Sequence, residues 1–133
     1  MPEVEMEQFG DGVRVICPIT DPYVAHHGAL GSAVTVHLDA SLDCVEVATF
    51  IGCLDGVTEV LDRKGAVREL ELPADRIGDL YVLSGQNVVL GRRSEDHDLS
   101  QLHGRLRSHG GRFEEKVPML ISEPVAARTS DLR

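Results

Sequence analysis

The sequence predicts an α+β fold, in which a mixed or antiparallel sheet carries one to two helices packed on one face. Short β-branched segments, one segment with helical apolar periodicity and turn residues between them support this prediction. The chain has 133 residues, 42% of them hydrophobic and 26% charged, as in a single globular domain. We expect a flexible acidic N-terminus at residues 1–11, one α+β domain at residues 12–123 and a flexible tail at residues 124–133.

Two strands and one helix are predicted in the first half of the chain. The segment 13–17 alternates apolar and polar residues and is stopped by Pro18, and the segment 33–38 is β-branched. Ser41 is the expected helix N-cap, and Gly56 is expected to close the helix. One apolar stripe at helical spacing runs between them: Cys44, Val47, Ala48, Ile51 and Leu54.

The second half of the chain contains shorter predicted elements. The segment 57–61 is predicted to be a strand, followed by a turn at residues 63–65. The segment 66–72 fits either a short helix or a strand, and we favour the helix. Segments 80–83 and 87–90 are separated by a glycine-containing turn, which indicates a hairpin.

Charge and composition exclude several classes of protein. The chain has 13 lysines and arginines against 22 aspartates and glutamates, a formal net charge of -9. Nucleic acids and anionic membranes repel such a surface, so we expect neither as a partner. No apolar stretch approaches the roughly 20 residues that cross a bilayer, and the acidic N-terminus is unlike a secretory signal. We therefore predict a cytoplasmic protein.

The cysteines fit the same compartment. Cys44 and Cys53 fall on opposite sides of one predicted helix, about 13 Å apart along its axis. The Cα atoms of a disulfide lie within about 7 Å of each other, so these two residues cannot bridge. Cys17 falls in a predicted buried strand, and we expect reduced thiols.

Three motifs together resemble a known enzyme family. They are Leu-Arg-Ser-His-Gly-Gly-Arg-Phe-Glu-Glu at 106–115, Ile-Cys-Pro-Ile-Thr-Asp-Pro-Tyr at 16–23 and His-His-Gly-Ala-Leu-Gly-Ser at 26–32. In combination they resemble the C-terminal portion of the phosphonoacetate hydrolases, in the alkaline phosphatase and nucleotide pyrophosphatase superfamily. The resemblance covers residues 11 to 123 and implies a partial piece of an alkaline-phosphatase-like α/β fold.

The resemblance implies a two-zinc site with a threonine nucleophile. In the family the Ser-His-Gly-Gly sequence supplies a zinc ligand, which assigns His109 as the metal ligand here. The other family ligands come from an aspartate near the N-terminus, an Asp-x-x-x-His pair and an Asp-His pair. The chain contains no Asp-x-x-x-His, and its threonines lack the nucleophile's context, so we assign no catalytic residue. Because a catalytic zinc needs about three protein ligands, we expect the chain to be inactive alone.

The remaining histidines have weaker assignments. His26 and His27 precede Gly28, and one of them is a candidate for contacting substrate; packing of the turn under Tyr23 is the structural alternative. The segment 96–98, Asp-His-Asp, is typical of a solvated loop. A zinc site built from His97, His103 and His109 would need a folded-back loop, and we do not favour it.

Charged residues near these motifs carry two further expectations. Arg107 and Arg112 could attract an anionic substrate, yet they oppose a metal unless carboxylates compensate them. Gly78 is expected to permit a close approach of two segments, and Asp79 to cap or to pair with Arg76.

Two functions follow from the sequence. In the first, the chain is a segment of a zinc-dependent hydrolase that cleaves the carbon–phosphorus bond of phosphonoacetate to give acetate and phosphate, with a complementary N-terminal catalytic segment as partner. In the second, it is a free-standing non-catalytic domain that binds a partner or a small phosphonate or other anion. We also expect a homodimer, because a piece of a larger α/β core exposes sheet edges and apolar surface.

Overall fold

The fold comes from a computed structural model that describes residues 6–17, 31–91, 110–114, 116, 118, 120 and 122. A short 3-10 segment, kinked at Gly10, precedes the first strand, and a second lies near the C-terminus. In chain order the elements are a 3-10 segment at Met6–Gly12, β1 at Val13–Ile16, β2 at Ala33–Leu38, α1 at Cys44–Gly52, β3 at Val57–Asp62, α2 at Arg63–Leu70, β4 at Leu80–Ser84 and a 3-10 segment at Arg112–Glu114.

The four described strands form one antiparallel sheet in the order β1-β2-β4-β3. Strand β4 is last in sequence but lies between β2 and β3, and all of its residues are buried. Its Val82 pairs with Val34 of β2 on one side and with Val60 of β3 on the other. The predicted α+β class with an antiparallel sheet is confirmed.

The two helices pack against side chains that point to opposite faces of the sheet. Val47 of α1 packs in a core with Val36 and Val82, whereas Ala66 of α2 packs in a second core with Tyr81. Successive strand residues point to opposite faces, so Tyr81 and Val82 belong to different sides. The expectation of helices on one face is corrected here, because the continuously apolar β4 offers a packing surface on each side.

The N-cap of helix α1 lies two residues after its predicted position. The carboxylate of Asp43 accepts hydrogen bonds from the backbone N–H of Val45 at 2.7 Å and Glu46 at 3.4 Å. Asp43, not Ser41, is therefore the N-cap, since its oxygen satisfies the first free amides of the helix. The helix ends at Gly52 rather than at the predicted Gly56.

Helix α2 begins where a turn was predicted. The carboxylate of Asp62 accepts a hydrogen bond from the backbone N–H of Gly65 at 2.7 Å, so residues 63–65 form the first helical turn. The helical prediction for 66–72 is correct as far as Leu70, and Glu71 ends the helix with a φ of 54°.

The predicted hairpin between 80–83 and 87–90 is wrong. Both edges of β4 are already occupied, by β2 and β3, so no edge remains for the following segment. Leu90 instead forms an isolated antiparallel bridge with Gly31.

A close contact joins the start of β4 to β2. A Cβ atom placed on Gly78 would stand 2.3 Å from the carbonyl oxygen of Val36, which confirms the predicted close approach. Asp79 accepts a hydrogen bond from the backbone N–H of Leu38 at 2.8 Å and pairs with Arg63 at 3.0 Å. Its ionic partner is therefore Arg63 and not the predicted Arg76.

Candidate functional site

The residues assigned from the sequence as a site lie outside the described residues. This holds for the candidate metal ligand His109 and for the candidate substrate-binding residues His26 and His27. The described residues that flank them are Cys17, Gly31 and Gly110. These flanking residues show where the segments that carry the three histidines connect to the sheet.

Cys17, Gly31 and Gly110 all lie at one end of the sheet, which we name the Gly31 end. It is defined by the strand termini that pair there: Ile16 with Thr35, Ala33 with Leu83, and Val57 with Ser84. The segment 18–30 begins after β1 and ends before Gly31 at this end of the sheet. The sequence-predicted motifs at 16–23 and 26–32 are therefore joined to it directly.

Hydrogen bonds fix the approach of the second segment to the same end. Gly31 and Leu90 exchange backbone hydrogen bonds, with N···O distances of 3.1 and 2.7 Å. The hydroxyl of Ser84 is buried, donates to the carbonyl of Val88 at 2.8 Å and lies 3.3 Å from the carbonyl of Ser32. The segment that continues from Gly91 therefore also starts at the Gly31 end.

The chain returns to this end at Gly110. Gly110 has a φ of 86°, a backbone conformation that residues with a Cβ atom rarely adopt. A Cβ atom on Gly110 would lie 3.4 Å from the Cβ of Ala33, the first residue of β2. Gly111 is buried. Gly110, the first glycine of the Ser-His-Gly-Gly motif, thus provides the backbone freedom that this conformation needs.

Arg112 and Glu59 form a bidentate ion pair next to this contact. Arg112 Nε and Nη2 donate to Glu59 Oε2 and Oε1, each at 3.0 Å, and Nη2 also lies 3.5 Å from Glu69 Oε2. The Arg112 and Glu59 side chains are about one third exposed, 35% and 29%. Arg112 was a candidate for attracting an anionic substrate, with a solvent-exposed loop charge as the alternative; its guanidinium instead pairs with two carboxylates of the chain itself.

Sequence analysis did not find Glu59 and Glu69. Glu59 lies 53 positions before Arg112 and belongs to a different element, so no local spacing connects them. The sequence offered one indication: carboxylates must compensate the charge of an arginine near a metal ligand. That requirement does not identify which carboxylates do so. Their roles are visible only once β3 and α2 are placed beside the C-terminal segment.

The opposite end of the sheet holds a cysteine among carboxylates. Burial raises the pKa of the Cys44 thiol, and the charges of Asp79, Asp62 and Asp43 raise it further, while Arg63 partly offsets them. A raised pKa keeps the sulfur protonated and weakly nucleophilic. Cys44 and Cys53 form no disulfide, as predicted.

Within the described ranges, no group of three or more histidine, cysteine, aspartate or glutamate residues could hold a metal ion. The surroundings of the Ser-His-Gly-Gly motif nevertheless fit a metal ligand, because Glu59 compensates the charge of Arg112. In the same ranges no helix has the length and hydropathy to span a membrane.

No protein-family model matches the chain. Two solved structures of phosphonoacetate hydrolase from Sinorhizobium meliloti 1021 are similar to it. The structure in complex with phosphonoacetate is 50% identical over 77% of this chain and 25% of that chain, with a TM-score of 0.68. The structure in complex with phosphonoformate gives 50% identity, the same coverage of 77% and 25%, and a TM-score of 0.67.

The described fold is α+β, and the chain is similar in sequence and structure to part of a phosphonoacetate hydrolase. More specifically, the resemblance to phosphonoacetate hydrolase indicated by the three sequence motifs is confirmed. The chain spans 25% of the length of each structure, a share that fits the predicted C-terminal portion.

Proposed function

We propose that this chain is the C-terminal part of a zinc-dependent phosphonoacetate hydrolase and contributes one zinc ligand, His109. The remaining ligands and the threonine nucleophile come from residues outside the printed sequence. The observation that carries this proposal is the 50% identity, over 77% of the chain, to an enzyme in complex with phosphonoacetate.

The arrangement of the sheet supports a shared site for the assigned histidines. His109 is bonded to Gly110, so their Cα atoms are about 3.8 Å apart. His27 precedes Gly31 by four positions, and an extended chain of that length reaches at most about 14 Å. Gly31 and Gly110, the described residues that follow the segments carrying His27 and His109, both lie at the Gly31 end of the sheet.

The reaction breaks the carbon–phosphorus bond of phosphonoacetate: water oxygen goes to phosphorus, and the departing carbon takes a proton to give acetate. Zinc, when bound, neutralises phosphonate charge and stabilises the charge that develops during bond cleavage. In this proposal the imidazole of His109 donates its lone pair to the metal. His26 or His27 donates a hydrogen bond to the phosphonate or carboxylate oxygens of the substrate.

The same proposal implies that the chain is inactive by itself. One imidazole donor falls short of the about three protein ligands that a catalytic zinc requires. We place the protein in the cytoplasm, and we expect it to associate through surface that the complementary N-terminal catalytic segment would cover, either with that segment or as a homodimer.

Complementation tests the proposal. The chain is mixed with the remaining part of the Sinorhizobium meliloti enzyme, and zinc content and phosphate release from phosphonoacetate are measured. We expect no release from either part alone and zinc-dependent release from the mixture. His109→Ala should abolish release, whereas the matched control His103→Ala should retain it. Release that survives His109→Ala would refute the ligand assignment.

A free-standing binding domain is the alternative outcome of the same experiment. In that case the isolated chain binds phosphonoacetate or phosphonoformate in a calorimetric titration, without zinc and without turnover. No complementation would be observed, and His109→Ala would leave the binding unchanged.

A further inference from the structure

We infer that Arg112, through its ion pair with Glu59, is a positioning residue for His109. The inference rests on the proposed function and adds a part of the site that the sequence motifs do not assign. Arg112 would not contact substrate; it would fix the backbone that follows the ligand and so determine where the ligand stands.

The first argument is the path of the chain across the sheet. Ala33 of β2, Leu83 of β4 and Glu59 of β3 form one row of paired residues. Neighbouring strands are about 4.8 Å apart, so this row spans about 10 Å. Gly110 lies beside Ala33 at one side of the row, where a Cβ atom on the glycine would be 3.4 Å from that of Ala33, and Arg112 binds Glu59 at the other. The segment after His109 is thus held at two points, one on β2 and one on β3, on either side of β4.

The second argument is the geometry of the ion pair. Two parallel hydrogen bonds of 3.0 Å hold the guanidinium plane in register with the carboxylate. A lysine ammonium is a point charge and cannot reproduce this orientation. Glu69 of α2 adds a contact at 3.5 Å, so a strand and a helix both restrain Arg112.

The third argument is charge. An uncompensated arginine three positions from a zinc ligand would repel the metal. Here the guanidinium faces the carboxylates of Glu59 and Glu69, and Glu69 also pairs with Arg68 at 2.8 Å. Two guanidiniums and two carboxylates sum to a local charge of about 0, which does not oppose a cation. The pair therefore combines backbone anchoring with the compensation that a metal ligand beside arginines requires.

The test compares Arg112→Gln and Arg112→Lys with a matched control. Arg63→Gln removes an arginine–carboxylate pair of the same 3.0 Å length at the opposite end of the sheet. Two properties are measured: amide hydrogen exchange of Gly110 and Gly111 in the isolated chain, and zinc affinity of the assembled two-part enzyme. The exchange measurement needs neither zinc nor turnover.

Removal of an outer-shell partner commonly weakens metal binding about 10- to 100-fold. We therefore expect Arg112→Gln to weaken zinc binding by about five- to tenfold and to raise exchange at the two glycines by about fivefold. Arg112→Lys should have a smaller effect on both, and Arg63→Gln should change neither. The charge-exchanged double variant Glu59→Arg, Arg112→Glu should recover part of the zinc affinity.

The outcomes separate the two hypotheses. Suppose that the assembled wild-type enzyme binds zinc and that His109→Ala abolishes this binding. If the Arg112→Gln variant then binds zinc as tightly as wild type, the positioning role is overturned and the proposed function stands. If wild-type assembly shows no His109-dependent zinc, the proposed function fails and the positioning role fails with it. Unchanged glycine exchange in Arg112→Gln would also overturn the positioning role.

Discussion

The carbonyl oxygen of Val36 lies directly against Gly78 and accepts a hydrogen bond from the backbone N–H of Asp79 at 2.8 Å. That bond draws the start of β4 onto β2 and leaves no room for a side chain. A Cβ atom on Gly78 would be 2.3 Å from the oxygen. The contact explains why glycine precedes the aspartate that also binds Leu38 and Arg63.

Substitution of Gly78 should therefore be costly. We expect Gly78→Ala to lower the free energy of unfolding by about 2–3 kcal/mol, because backbone must shift to admit the methyl group. Urea unfolding followed by circular dichroism measures the change. Gly52→Ala is the control: among the described residues its Cβ atom would meet only Val60, at 3.9 Å, and alanine favours a helix, so stability should not fall.

The N-cap of α1 gives a second prediction. Asp43→Ala removes the acceptor of the Val45 and Glu46 amides and should cost about 1 kcal/mol of unfolding free energy. Ser41→Ala tests the position that the sequence indicated, and it should be close to neutral. Thermal unfolding of the two variants shows whether Asp43 or Ser41 is the N-cap. Equal losses of unfolding free energy in both variants would contradict the assignment of Asp43.

The ion pair between Arg112 and Glu59 should be measurable in the isolated chain. Because both side chains are about one third exposed, at 35% and 29%, solvent screening limits the coupling free energy to about 1 kcal/mol. A double-mutant cycle with Arg112→Gln and Glu59→Gln measures it. The pair of Arg68 with Glu69, where Arg68 is 74% exposed, should show a smaller coupling.

Stability should fall at alkaline pH in a way that depends on Cys44. Burial, reinforced by nearby carboxylates, raises the pKa of its thiol in the folded state. The folded state then holds the proton more tightly than the unfolded chain, so the stabilisation is complete below the unfolded pKa of about 8.5 and is lost as pH rises through the folded pKa.

Unfolding free energies measured from pH 7 to pH 10 test this. We expect a decline above about pH 8.5 that Cys44→Ala reduces. Cys53→Ala, at an exposed cysteine, should leave the decline unchanged. Tyr81, whose pKa is also raised by burial, should add to the decline at still higher pH in every variant. Identical slopes for Cys44→Ala and wild type would refute the contribution of Cys44.

The sequence predicted those elements whose signals are local. The segments 13–17, 33–38 and 57–61 alternate or are β-branched, and each is a strand to within a residue or two. Helix α2 begins earlier than the sequence predicted. Asp62 is both the last residue of β3 and the N-cap of α2, and the Arg-Lys-Gly sequence that follows it resembles a turn. The hairpin was wrong because β4 takes its partners from distant segments.

The candidate site also has residues that the sequence indicated and contacts that it did not. His109, His26 and His27 could be assigned only through motif resemblance. The resemblance to phosphonoacetate hydrolase is confirmed, whereas the roles of the three histidines stay predictions. Arg112 was noticed for its charge, but its binding to Glu59 depends on the Ala33–Leu83–Glu59 row of the sheet. No sequence spacing encodes a contact of that kind.

The position of β4 between two strands that precede it also constrains how the chain folds during synthesis. Until residue 84 has left the ribosome, β2 and β3 have no common neighbour, and the apolar side chains of Val34 and Val60 lack the strand that joins them. A nascent chain halted before that point should be sensitive to proteases and prone to bind chaperones, whereas one halted after it should become resistant in a single step.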